Sequence, residues 1–230
     1  MKRVFFLIFL GLVLWSPRSS ASIEYCRVID VSGRTEILES GSAAWAPLGA
    51  PRLLKGGDKI RTADKSYAEI STSDDFSGLL RLGANSQMEV MGEDLARFFL
   101  RRGMLMALRE EDDDTLVGRP AEKLLLQIFT RDLSAGILLG GYSVSVSDRG
   151  TWVRVFSEHA HARIFMKENK KAAEFKRIPE GFKYFWGSDD EIGPLGPSRM
   201  YYSDYTEWQF WVRKCYERQD ARSDALILKG

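Results

Sequence analysis

Histidine and cysteine are almost absent: this 230-residue chain holds two of each, His159 and His161, Cys26 and Cys215. Serine catalysis needs a base and an orienting acid, and no Gly-x-Ser-x-Gly elbow accompanies the two histidines. On a strand, His159 and His161 would point the same way, as two metal ligands could, but only Glu158 and Glu168 offer a third group. Gly136 to Gly141 lacks a phosphate-loop Lys and any dinucleotide spacing. The expectation is no catalytic residue, no metal and no cofactor; a hydrolase using the His159/His161 pair is the catalytic alternative. A basic block is missing too. Without Lys2, Arg3 and Arg18 the chain carries 30 basic and 32 acidic residues, which leaves no electrostatic footprint for nucleic acid.

Long hydrophobic runs are scarce. One exists, Val4 to Trp15, preceded by Lys2 and Arg3 and followed by Pro17 and Ser19-Ser20-Ala21. Twelve residues fall short of the ~20 that span a bilayer. The pattern reads as a signal peptide over 1–21, cleaved after Ala21, and the mature chain has no membrane span. Retention of the run as an anchor is the alternative. In an oxidising compartment an even cysteine count favours a Cys26–Cys215 disulfide over two buried thiols.

What is present in quantity is period-two alternation. Ile60 and Thr62, Ala68, Ile70 and Thr72, then Leu80 and Leu82 alternate with Lys59, Arg61, Glu69, Ser71 and Arg81. One set faces a core and the other solvent. Gly56-Gly57-Asp58 reads as a turn with a residue at φ > 0 and an Asp bonding the backbone two positions on, and Gly83-Ala84-Asn85-Ser86 breaks the pattern again. Upstream, Arg27 to Leu38 reads as two short strands around Gly33, and Trp45-Ala46-Pro47-Leu48 leads on. Arg101-Arg102-Gly103 precedes a further strand, Met104 to Leu108. Glu110 to Asp114 lacks the ligand spacing of a calcium loop and reads as a solvated acidic turn.

These pieces, taken in order from Val28 to Val90, resemble the FecR domain, the extracytoplasmic module of bacterial iron-dicitrate sensor proteins. The shared features are the apolar-x-Gly-x-apolar strand pair, the Trp with Pro-Leu, the Gly-Asp turn and the Leu-Gly-x-Asn-Ser corner. A looser likeness continues through Thr130 to Ile137, Tyr142 to Val146 and Ile178-Pro179-Glu180-Gly181; the family's Arg-Gly-Thr positions read Leu138-Leu139-Gly140 here. The resemblance implies an all-β fold, an antiparallel sandwich or solenoid-like domain of short hairpins over 22–186, in halves of about 22–100 and 101–186. It implies a sensory or scaffold module that binds an envelope protein or glycan. The cytoplasmic sigma-factor-binding region of family regulators has no counterpart in these residues.

Beyond Trp186 the composition changes. Gly187 to Pro197 reads as a linker; Asp204 then offers an N-cap with Glu207 three positions later, opening a short amphipathic helix to about Gln219, with a frayed tail from Ser223 to Gly230. Tyr205, Trp208, Trp211, Val212 and Cys215 share one face at helical spacing. The aromatics between Phe182 and Trp211 read first as a second small core joining helix to sheet. Trp186, Tyr201, Tyr202 and Phe210 are the candidates for a binding surface.

Overall fold

The computed structural model describes residues 26–73, 78–91, 96–110, 126–137, 139–157, 162–166, 175–187 and 195–227. Among them are seventeen strands and one helix. The first nine strands are β1 (Arg27–Ser32), β2 (Thr35–Leu38), β3 (Ala46–Pro47), β4 (Arg52–Leu53), β5 (Lys59–Thr62), β6 (Tyr67–Ser71), β7 (Gly78–Leu82), β8 (Gln87–Val90) and β9 (Ala96–Arg109). There follow β10 (Leu126–Phe129), β11 (Leu133–Ile137), β12 (Gly140–Ser147), β13 (Gly150–Val155), β14 (Ala162–Met166), β15 (Phe175–Ile178), β16 (Phe182–Gly187), β17 (Leu195–Arg199) and the helix α1 (Tyr202–Ile227).

Pairing sorts the strands into two sheets that share β9. Sheet I runs β4-β1-β6-β7-β9-β12-β13-β16-β17. Sheet II runs β3-β2-β5-β8-β9-β10-β11-β14-β15. Every described pairing is antiparallel except β9–β10. The fold is therefore an all-β antiparallel sandwich with one C-terminal helix. Its inner faces meet in a single core that includes Val28, Ile37, Ile60, Ile70, Leu80, Leu100, Leu105, Tyr142, Val144, Val153 and Tyr184.

The turns do more than reverse the chain. β1 and β2 flank Gly33 as expected, yet they pair with different strands in different sheets, so Gly33 is a corner and not a hairpin. The same holds at the β5–β6 and β7–β8 connections. Residues with left-handed backbone mark such crossings: Gly33, Gly57, Lys65, Asn85, Gly103 and Gly181. At Gly103 (φ 82°) β9 itself leaves sheet II for sheet I; a Cβ there would overlap Ser86. The residues 96–102 pair with β8 and β10, and 103–109 with β7 and β12. The strand expected to start at Met104 is thus the second half of a 14-residue strand, and the division at 100/101 falls inside it.

The geometry of the corners is held by side chains. Ser86 Oγ donates to the Ala84 carbonyl (2.9 Å) and accepts from Met104 N–H (2.9 Å), tying the Asn85 corner to the β9 crossing. Gly57 does adopt φ > 0 (89°). Asp58, only 5 % exposed, acts differently from the expectation: it accepts from Lys55 N–H (2.9 Å) and from Ser40 N–H (2.8 Å), so it clamps two loops together and does not bond two positions on.

α1 is longer than the sequence suggested, 26 residues, and takes in Ser223 to Ile227 of the stretch expected to fray. It begins at Tyr202, so Asp204 is inside the first turn and not the N-cap; its carboxylate reaches back to Tyr201 N–H (2.8 Å). The expected linker supplies β17, which pairs with β16.

Candidate functional site

The sequence assigned Glu69, Ser71 and Arg81 to solvent. The structure buries all three, at 2 %, 0 % and 9 % exposure, because α1 lies across the outer face of sheet I. A second apolar cluster forms there from Leu79, Met106, Leu108, Phe156, Trp208, Trp211 and Cys215. Trp208 stacks on Phe156 (centroids 4.6 Å apart, planes 5° off parallel) and meets Trp211 edge-on at 5.3 Å. The expected helix face is the buried one: Trp208, Trp211 and Cys215 are buried, Tyr205 and Val212 half-buried.

Ion pairs hold the helix at two points along its length. Near its N-terminus Asp204 accepts from Arg154 Nε (3.1 Å) on β13 and Lys183 Nζ (2.8 Å) on β16. Burial pushes the Asp204 pKa up, but the hydrogen bonds from Lys183, Tyr201 N–H and Arg154 outweigh it and hold the carboxyl below its ordinary value. Fourteen residues further on, Arg218 pairs with Glu69 of β6, whose other oxygen accepts from Arg81 (3.0 Å). Arg81 in turn lies over the Tyr67 ring (4.0 Å), and the Tyr67 hydroxyl donates to Asp30 (3.0 Å). From β13 to β6 is four strand spacings, about 19 Å; fourteen helical residues rise about 21 Å. The helix crosses the strands almost squarely.

Between helix and sheet lies a half-open cavity of about 190 Å³. Its floor follows from the sequence of β12. Tyr142, Val144 and Val146 point into the main core, so Gly141, Ser143 and Ser145 point out, and all three are small. They form a trough flanked by Met104 and Met106 of β9, by Arg154 of β13 and by Phe156 just beyond that strand. At one end Trp208 fills it; a Cβ on Gly141 would overlap the indole ring. Beyond Trp208 the trough is open beneath Ser203, Asp204 and Glu207. Ser145 Oγ accepts from Arg154 Nη1 (2.9 Å). Ser143 Oγ, fully buried, makes no hydrogen bond among the described residues.

The sequence-derived candidates are scattered about this site. No disulfide joins Cys26 to Cys215. The expected bridge fails because sheet I stands between them: Cys26 packs against the inter-sheet core and Cys215 against the helix-side cluster. Burial, and then the Glu69 charge, push the Cys215 thiol up to about 12, which makes it a packing group. Gly56, Gly57, Asp58 and Asn85 belong to corners. Trp186 is half-buried against the main core, whereas Tyr201, Tyr202 and Phe210 are exposed at 72 %, 81 % and 58 %. His159 and His161 lie outside the described residues. No group of three metal-ligating side chains occurs among the described residues, and no described helix is long and apolar enough to cross a membrane. The trough was missed in the sequence, although Gly141-x-Ser143-x-Ser145, three small outward positions on one strand, was its signal.

No family model matches the chain, and no curated protein matches it. Two solved structures of a "putative anti-sigma factor" from Parabacteroides distasonis are similar to it, each 16 % identical, with TM-scores of 0.49 and 0.48. Each similarity covers 66 % of this chain; the chain spans 64 % and 63 % of those structures, under two thirds of their length.

Proposed function

We propose that this chain is a non-catalytic, exported module of the bacterial envelope, a FecR-like domain that works as a sensory or scaffold element by binding. The observation that carries the reading is the cavity under α1, a formed recess with an unpartnered buried hydroxyl, apolar groups from Met104, Met106, Phe156 and Trp208, and a polar rim. The ordered set of corner motifs from Val28 to Val90 supports the family likeness. The basic start, apolar run and small residues before Ser22 support export.

Two measurements test it. Intact mass of protein from the periplasm or medium should show a chain beginning at Ser22; a full-length species sedimenting with the inner membrane replaces the exported module with an anchored regulator. An affinity pull-down from native envelope should recover a protein or glycan that the heat-unfolded chain does not retain. Turnover of an envelope substrate, lost in His161→Ala, overturns the non-catalytic reading.

A further inference from the structure

We infer that the trough beneath α1 is a binding site for a small uncharged aromatic carrying one hydrogen-bonding head, of the phenol or indole class. Size sets the first limit. A cavity of about 190 Å³ lies below the ~300 Å³ at which sites for drug-sized ligands begin, and admits one ring or a fused pair. Shape sets the second. The trough is walled by β9 and β13, two strand spacings or about 10 Å apart, and once the flanking stems are in place a flat body fits it better than a branched one.

Charge sets the third. Arg154 is engaged by Asp204 and Ser145, and Asp204 by Arg154, Lys183 and Tyr201 N–H. An anion entering the trough would face Asp204 and Glu207, while a cation would face Arg154. Arg154 and Asp204 are engaged with each other, and Glu207 is exposed to water at the rim, so no buried counter-charge is free inside the trough and the ligand is neutral. The head is assigned by Ser143. Its buried Oγ has no partner, and a hydroxyl both donates and accepts, so it suits a phenol O–H or an indole N–H. The body is assigned by Met104 and Met106, whose thioethers favour aromatic rings.

The inference rests on the binding-module reading, yet the two fail separately: an empty trough removes the cavity's support but leaves the leader and the corner motifs, which intact mass and the pull-down test on their own, and a cytoplasmic or catalytic chain can still bind phenol. The test is calorimetric and ligand-observed NMR titration of the whole exported chain with phenol and indole, beside benzoate and benzylamine. Saturable binding of phenol or indole, with both charged analogues at least about tenfold weaker, is expected. Ser143→Ala should fold with an unchanged or higher Tm, because it deletes an unpartnered buried hydroxyl, and should weaken phenol about three- to tenfold. Ser143→Met, which fills the floor, should abolish binding. No saturation by either neutral ring overturns the proposal. So does benzoate or benzylamine binding as tightly as phenol, or phenol affinity unchanged in Ser143→Ala.

Discussion

The two sheets carry the same kind of alternation and meet opposite fates on their outer faces. On sheet II the outward residues of β2, β5 and β8 form a solvated lattice: Glu36 accepts from Arg61 (2.6 Å) and Arg34 (3.1 Å), Arg61 lies over the Trp45 ring (4.2 Å), and Lys59 faces Glu89 (3.7 Å). On sheet I the corresponding charges, Glu69 and Arg81, are sealed beneath α1. A strand's polar face is thus not evidence of exposure. In water such pairs contribute little; desolvated, each charge depends on its partner.

The sharpest way to break the comparison is to remove what seals sheet I. Trp211→Ala should cost about 3–5 kcal/mol in chemical denaturation, while Phe210→Ala, on the opposite side of the same helix, should stay within about 0.5 kcal/mol. Glu69→Ala strands Arg81 under the helix, removes the partner of the half-exposed Arg218, and should cost about 3–5 kcal/mol. Glu36→Ala on sheet II should leave the midpoint almost unmoved. Equal losses for the two glutamates would show that α1 does not cover sheet I in solution.

Smaller changes probe the fit. Gly141→Ala pushes a methyl into Trp208 and should cost about 1–3 kcal/mol, against little for Gly49→Ala, which has open space around it. Gly57→Val should cost about 1–3 kcal/mol, since Gly57 sits at φ 89° with Ser40 Oγ 2.6 Å from where a Cβ would lie, whereas Lys59→Ala should be nearly silent. Smallest is the effect of pH. The Asp204 pKa is depressed in the fold, so its contribution is complete above the unfolded value near 4 and is lost as pH falls through the lower folded value. Acid titration followed by near-UV circular dichroism of the helix tryptophans should show loosening in that window, absent in Asp204→Asn.

The inner face was legible from residue types alone. Ile60, Ala68, Ile70, Leu80 and Leu82 read as core by their period of two, and all are fully buried. The buried stripe of α1 was legible for the same reason at period 3.6. The corners were located but misread, because a Gly or Asn at φ > 0 says that the chain bends and nothing about which sheet receives the next strand. The cysteines failed on the same ground: compartment argued for a bridge, and which side of sheet I each occupied was decided by strand order.

By itself, then, the sequence determined the local terms: where strands alternate, where the backbone turns left-handed, and which helix face is apolar. These depend on residues a few positions apart. Only the tertiary structure decided that α1 crosses sheet I, because that joins Arg218 to Glu69 and Asp204 to Arg154 over separations no local pattern encodes. The trough exists for the same reason: three small residues on β12 are an unremarked surface until a helix roofs them, and then they are a cavity.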